Sequence, residues 1–118
     1  MSDVTIYHNP ACSKSRQSLA LIQEQGITPE VIRYLEQPPS AQTLKRLLQM
    51  LGMSPRALLR KGEDAYKARG LADDSLTDEA IVEAMVAEPK LIERPIVVRG
   101  DRAVLGRPPE NVLDLLRD

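Results

Sequence analysis

A single cysteine, Cys12, is the residue of this 118-residue chain best placed to act as a nucleophile. It follows a short apolar run and stands at the predicted start of a helix, after Tyr7-His8-Asn9-Pro10-Ala11. Free N–H groups and the positive end of the peptide dipoles at a helix start favour thiolate over thiol. Since there is no second cysteine, any disulfide must join Cys12 to another molecule. Alternatively, Cys12 is a small buried hydrophobe, as free cysteines commonly are.

Two arginines are predicted to oppose each other at the open end of a β-hairpin. The strands Ile96–Val98 and Ala103–Leu105 flank a turn with Gly100-Asp101 at its centre, a pattern typical of a type II′ turn. Continuing that register outward places Arg94 opposite Arg107. Like charges directly opposed destabilise a sheet, so the pair predicts an anion held between two guanidinium groups.

The same arginines have a simpler interpretation as surface charges. Arg94 would then pair with Glu93 or Glu36, and Arg107 with Glu110. Exposed ion pairs of this kind contribute little and imply no ligand. The sequence alone leaves both interpretations open.

Two further side chains lie close to Cys12 in the sequence. His8, the one histidine of the chain, precedes it by four residues and could hydrogen-bond to or stabilise the thiolate, or play a purely structural part. Arg16 lies one helical turn beyond Cys12 and could face the thiolate or the solvent. Arg60 follows a short predicted helix and shows no signal of its own.

The first elements place Cys12 at a ligand-binding edge. A strand over Val4–Tyr7, a helix from about Cys12 to Gln25 and a strand over Val31–Leu35 form a predicted βαβ unit with parallel strands. Cys12 then lies at the carboxyl end of the first strand. Ligands of open α/β sheets bind at that edge.

The middle of the chain is predicted to be helical, and the end to be a hairpin followed by a helix. The predicted central helices are Ser40–Gly52 with a leucine stripe, Ser54–Arg60, a short helix before Gly70, and Thr77 to a point before Pro89. A last helix after Pro108-Pro109 is expected to bury Val112, Leu113 and Leu116. The order βαβ, helices, ββα predicts one α/β domain with a mixed sheet.

Composition excludes several classes of function. The chain is 42% apolar and 28% charged, which is typical of one globular domain. A net charge of −1 argues against nucleic-acid binding, since that requires a basic face. No signal peptide or long apolar stretch is present, so we expect a cytoplasmic protein without membrane contact. A lone cysteine agrees with a reducing compartment.

Several motifs recur in order and resemble the glutaredoxin-coupled arsenate reductase family across nearly the whole chain. They are His8-x-x-x-Cys12-x-x-x-Arg16, Arg56-Ala57-Leu58-Leu59-Arg60, Glu93-Arg94-Pro95-Ile96-Val97-Val98 and Gly106-Arg107-Pro108. The resemblance implies a thioredoxin-like fold for a single domain over 1–118, with a helical insertion at about 40–90. It also implies a cis peptide bond before Pro95.

The same resemblance implies a reaction and its residues. Cys12 would attack arsenate or a similar oxyanion, Arg60, Arg94 and Arg107 would hold it, and His8 and Arg16 would support the loop. Glutathione would be the co-substrate, and glutaredoxin would resolve the resulting disulfide. No bound cofactor or metal is expected, and we expect a monomer.

The residues after Cys12 separate this chain from the resistance-type members of that family. Ser13-Lys14-Ser15 replaces small uncharged residues and resembles a chromosomal arsenate-reductase-like subgroup, and Lys14 could change which oxyanion is preferred. Two alternatives stay open. One is a redox-sensing regulator similar to the Spx group, which binds RNA polymerase but typically uses a Cys-x-x-Cys switch and lacks an arginine matching Arg107. The other is a monothiol oxidoreductase acting on disulfides.

Overall fold

A four-stranded mixed sheet carries the loop that contains Cys12. In the computed structural model, which describes residues 3–117, the strands are β1 (Val4–Tyr7), β2 (Glu30–Ile32), β3 (Ile96–Arg99) and β4 (Arg102–Leu105). Their order is β2-β1-β3-β4, with β2 parallel to β1 and the other two neighbouring pairs antiparallel. The predicted α/β class and mixed sheet are confirmed.

The chain divides into two compact units. The sheet unit contains residues up to Gln37 and from Arg94 onward, with the four strands, α1 (Ser13–Glu24) and α6 (Asn111–Leu116). The helical unit, Pro38–Glu93, contains the elements between β2 and β3. The expectation of a single domain stays a prediction.

Aliphatic side chains from the strands, α1 and α6 form the core of the sheet unit. Alternation along β1 turns Val4 and Ile6 inward, and Val97 of β3 packs beside them. The other core members are Ile22, Val112 and Leu115. The prediction that the last helix buries Val112, Leu113 and Leu116 was partly wrong. Residues three apart share a helix face, so Leu115 rather than Leu113 is buried with Val112.

The second strand is shorter than predicted. It ends at Ile32, and the chain then turns, since the N–H groups of Glu36 and Gln37 both donate to the carbonyl of Arg33. β2 is an edge strand whose one neighbour, β1, ends at Tyr7, so residues beyond Ile32 have no strand to pair with. The alternation through Leu35 could not reveal this, because it depends on the length of the partner.

The hairpin register is confirmed. Ile96 pairs with Leu105 and Val98 with Ala103, as the turn chemistry predicted. Gly100 has φ +63°, whereas Asp101, like every other non-glycine residue within 3–117, does not have a positive φ. A positive φ at the first central position alone agrees with a type II′ turn. Beyond the paired residues of β3 and β4, the N–H of Gly106 donates to the carbonyl of Pro95 at 2.9 Å. The two segments therefore stay side by side up to Arg94 and Arg107.

The helical unit, residues 38–93, consists of short helices, three of which have a side-chain N-cap. The unit contains α2 (Ala41–Leu51), α3 (Pro55–Leu58), α4 (Asp64–Ala68), α5 (Asp78–Ala87) and a 3₁₀ turn at Pro89–Leu91. The predicted caps Ser40, Ser54 and Thr77 each accept a hydrogen bond from the third residue of their helix. The predicted helix through Arg60 ends earlier because Leu59 is extended and bridges Ile92. No helix within residues 3–117 has the length and apolar character to cross a membrane.

Candidate active site

Sheet register brings three chain segments to one edge. β1 ends at Tyr7, which pairs with Ile96 at the start of β3, and Ile96 in turn pairs with Leu105 at the end of β4. The loop that leaves β1 toward Cys12 therefore meets the segments carrying Arg94 and Arg107. Both of the latter contain a cis peptide bond, Arg94-Pro95 and Arg107-Pro108. The predicted cis bond before Pro95 is present.

Cys12 occupies the N-cap position of α1. Its backbone is extended (φ −96°, ψ 123°), its N–H donates to the carbonyl of Asn9 at 3.0 Å, and only 9% of the residue is exposed. A cap residue has its side chain beside the free N–H groups of the first turn. The cysteine is thus nearly buried, yet at a helix start.

Several groups compete to set the pKa of Cys12. Burial raises the pKa, but the N–H groups of Ser15 and Lys14 and the Arg94 guanidinium outweigh it, so the pKa lies below that of an ordinary cysteine. The side chain of Cys12 makes no regular capping hydrogen bond among the described residues, so the two N–H groups act as nearby dipoles. These groups favour the thiolate more than the surroundings of an ordinary cysteine do.

Arg94 and Arg107 meet at the sulfur. The Arg94 guanidinium lowers the pKa of the Cys12 thiol through hydrogen bonding and its positive charge. Arg107 Nη1 lies 4.0 Å from Cys12 Sγ and donates to the carbonyl of Arg94 at 3.3 Å. The structure therefore brings together the two arginines that the hairpin register predicted as neighbours, and it adds the thiol to them.

Within residues 3–117 the side-chain hydrogen bond of His8 goes to Ser15, so an action of His8 on Cys12 stays a prediction. His8 Nδ1 lies 2.6 Å from Ser15 Oγ, both residues are buried, and Ser15 Oγ also accepts from the N–H of Asn9 at 3.0 Å. Burial, followed by the charges of Arg33 and Arg16, lowers the pKa of His8, so the ring is neutral near pH 7.

Ser15 is a site residue that sequence reasoning missed. The available signal was a small hydroxyl residue in the first turn after a cap cysteine, a position where serine competes for backbone hydrogen bonds. Arg33 was missed as well. It directly follows Ile32, whose carbonyl accepts from the N–H of His8 at 2.8 Å, and so it adds positive charge beside the loop.

Arg16 lies on α1 and braces the loop. Its Nη1 donates to the carbonyl of Pro10 at 2.8 Å. The side chain therefore ties the first turn of α1 to the loop that precedes Cys12. This geometry fits the role that the family resemblance implies for Arg16, which is to support the loop before Cys12.

Arg60 belongs to the helical unit and lies among carboxylates. Its Nη1 is 3.0 Å from Glu93 Oε1, its Nε is 3.4 Å from Glu63 Oε2, and 20% of the side chain is exposed. Its N–H donates to the carbonyl of Leu91 at 2.7 Å, beside the bridge between Leu59 and Ile92. Its part in holding an oxyanion stays a prediction of the family resemblance.

The arrangement in the sheet unit suits attack on an oxyanion. A thiolate supplies the nucleophile, and two guanidinium groups can neutralise oxygens of a tetrahedral anion held beside it. Within residues 3–117 no group of three histidine, cysteine, aspartate or glutamate side chains is placed to hold a metal ion. Within the sheet unit, Cys12, Arg94 and Arg107 form a set with the chemistry for such an attack.

Comparison with known proteins identifies close relatives. A sequence profile of the ArsC family matches residues 7–115. The chain is 57% identical to the "Uncharacterized protein YfgD" of Escherichia coli strain K12, over 96% of each chain, and 49% identical to an arsenate reductase of Escherichia coli, over 100% of this chain and 84% of that one. It is also similar to the solved structure of an arsenate reductase from Vibrio cholerae (56% identity, TM-score 0.93, 96% and 97% covered).

Proposed function

The chain belongs to the ArsC family, and we propose that it reduces arsenate to arsenite with Cys12 as the nucleophile. The observation that carries the proposal is the thiol itself, which lies at a helix start with Arg107 Nη1 4.0 Å away and with a pKa that the Arg94 guanidinium helps to lower. Relatives named arsenate reductase, at 49% and 56% identity, support the choice of oxyanion.

The proposed first step is substitution at arsenic. The Cys12 thiolate forms a sulfur–arsenic bond, and one oxygen leaves as water after taking up protons, so arsenic stays at +5. Arg94 and Arg107 neutralise the remaining oxygens, which carry more charge in the transition state than in the free anion. The arginines thus act as binding groups and as electrostatic catalysts.

A second thiol must supply the reduction, because residues 1–118 contain no further cysteine. Glutathione attacks the sulfur of the adduct, a sulfur–sulfur bond forms, and the sulfur–arsenic bond breaks. The bonding pair stays on arsenic, which falls to +3 and leaves as arsenite. The Cys12–glutathione disulfide is then reduced by glutaredoxin through thiol–disulfide exchange.

A coupled assay tests this proposal. Purified protein with glutathione, glutaredoxin, glutathione reductase and NADPH should consume NADPH when arsenate is added. Phosphate, selenate and a low-molecular-weight disulfide, run in parallel, establish the selectivity. Lys14 lies two residues after Cys12, so Lys14→Thr in the same assay measures its part in choosing the oxyanion.

The outcomes separate the alternatives. NADPH consumption that depends on disulfide and not on arsenate would identify a monothiol oxidoreductase. The absence of any turnover, together with recovery of the RNA polymerase α subunit in a pull-down, would identify a regulator similar to the Spx group. Either result would overturn arsenate reduction.

A further inference from the structure

Two serines on the inner face of α1 are completely buried, and they differ in what they bind. Ser15 and Ser18 are each 0% exposed. Ser18 Oγ donates to the carbonyl of Gly106 at 3.4 Å, a long contact to a neighbouring segment. Ser15 Oγ instead makes two shorter hydrogen bonds, both to the loop between β1 and Cys12.

The direction of these bonds follows from the inventory of protons. The N–H of Asn9 can only donate, so Ser15 Oγ is the acceptor of that bond. The ring of His8 is neutral, because burial and the charges of Arg33 and Arg16 oppose protonation. We assign the hydroxyl proton of Ser15 to the bond with Nδ1 of His8, because within residues 3–117 that nitrogen is the acceptor within hydrogen-bond distance of Ser15 Oγ, and the neutral ring then carries its proton on Nε2.

The backbone of Ser15 faces the other way, toward the nucleophile. Its N–H is one of the two first-turn groups that favour the Cys12 thiolate. The position of that N–H depends on how the first turn of α1 sits against the loop. The hydroxyl of the same residue ties the turn to Asn9, whose carbonyl accepts from the N–H of Cys12 at 3.0 Å.

We propose that Ser15 is a positioning residue for the nucleophile, and that His8 acts on Cys12 through the Ser15 hydroxyl rather than by contact with the sulfur. A neutral His8 accepts from Ser15, Ser15 accepts from Asn9, and this chain of bonds aligns the first turn with the sulfur. The proposal rests on the proposed function for its biological meaning. Its physical content concerns only the thiol.

Alkylation of Cys12 by iodoacetamide, measured from pH 4 to pH 10, tests the proposal without arsenate. Ser15→Ala should move the inflection of the rate to higher pH and slow alkylation near pH 7 by about fivefold, because the first-turn N–H is no longer held in place. Ser18→Ala is the matched control, one turn along the same helix and equally buried, and its profile should equal that of the wild type. Ser15→Thr, which keeps the hydroxyl, should restore most of the rate.

The charged groups around the loop are unchanged in all three variants. They are Lys14 and Arg16 on α1, Arg33 after β2, Arg94 before β3 and Arg107 after β4. A shift confined to Ser15→Ala is therefore assigned to the hydroxyl. Equal profiles for Ser15→Ala and Ser18→Ala would overturn the proposal, even if both variants melt at lower temperature.

His8→Phe examines the same link from the histidine side and serves if Ser15→Ala fails to fold. It keeps a ring and removes the acceptor nitrogen, so the inflection should again move to higher pH. An unchanged profile would show that His8 does not act on Cys12 and would contradict the proposal. A shifted profile in a protein that fails to turn over arsenate would leave this inference standing and reject only the proposed function.

Discussion

Arg107 and Arg60 are the same residue type in two different electrostatic settings. Arg107, in the sheet unit, has Nη1 4.0 Å from a thiol and 3.3 Å from a carbonyl. Arg60, in the helical unit, lies 3.0 Å and 3.4 Å from two carboxylates. The charge of Arg60 is largely balanced by its own neighbours, whereas Arg107 and Arg94 favour an anionic sulfur. An arginine in a sequence therefore predicts a cation but not the group that it neutralises.

The largest expected effect on turnover comes from removing the Cys12 thiol, which lies beside the arginines of the sheet unit. Cys12→Ser should abolish arsenate-dependent NADPH consumption, since a serine hydroxyl has no appreciable alkoxide population near pH 7 and cannot exchange with thiols. The coupled assay measures this loss, and circular dichroism checks that the fold is kept. Residual turnover above background would contradict Cys12 as the nucleophile.

The next effect comes from the arginines themselves. Arg94→Ala and Arg107→Ala should each raise KM for arsenate by about ten- to hundredfold, the range expected for one charge-assisted hydrogen bond. Arg94→Ala should also move the alkylation inflection of Cys12 to higher pH, because Arg94 favours the thiolate. Saturation by arsenate at wild-type concentrations in both variants would contradict the pairing of these arginines with an oxyanion.

Replacing one glycine in each unit by alanine tests how tightly its surroundings are packed. A Cβ at Gly106 would collide with the Ser18 hydroxyl and lie 2.8 Å from Pro95 Cγ, whereas a Cβ at Gly62 would meet no atom within 4 Å. Gly106→Ala should lower the free energy of unfolding by about 1–3 kcal/mol, the cost of overpacking a tight site. Gly62→Ala is the control. Urea titrations that place both variants within error of each other would contradict the close packing before Arg107.

Arg60→Ala tests the arginine of the helical unit, which lies beside two carboxylates. If its two carboxylate partners neutralise Arg60, KM for arsenate should rise by less than about tenfold, well below the effect at Arg94 or Arg107. Steady-state kinetics of the three alanine variants measured together decides the ranking. An effect at Arg60 equal to that at Arg107 would show that the carboxylates do not shield it and would support the family resemblance.

The smallest effect expected is on stability against acid. The charges of Arg33 and Arg16 add to burial in lowering the pKa of His8 below 6.5, so the unfolded chain takes up a proton first as the pH falls. The free energy of unfolding should therefore decrease as the pH drops from 6.5 through the pKa of the folded histidine. His8→Asn, which keeps an acceptor for Ser15, should lose this part of the decrease. Parallel pH dependences in urea titrations would contradict a neutral, buried His8.

Local signals in the chain predicted more of the fold than of the site. Ser40, Ser54 and Thr77 cap helices because capping depends on the nearest three residues, and the Gly100 turn sets the hairpin register for the same reason. The prediction that the second strand continues to Leu35 was wrong, because the end of β2 at Ile32 depends on where its partner β1 stops. The part of Ser15 was missed because its partners, His8 and Asn9, approach it only after the loop has folded back.

The sequence by itself identified a candidate nucleophile, Cys12, and the pair of neighbouring arginines Arg94 and Arg107. Placing Cys12 at a helix start and Arg94 opposite Arg107 needed only local patterns, but the sheet order β2-β1-β3-β4, which brings the arginines to the end of the first strand, came from the structure. Only the tertiary structure showed the groups that each of these side chains contacts: a thiol for Arg107, two carboxylates for Arg60 and the Ser15 hydroxyl for His8. The physical reason is range: hydrogen-bonded turns and caps are set within a few residues, whereas the charge that a side chain experiences depends on every segment folded around it.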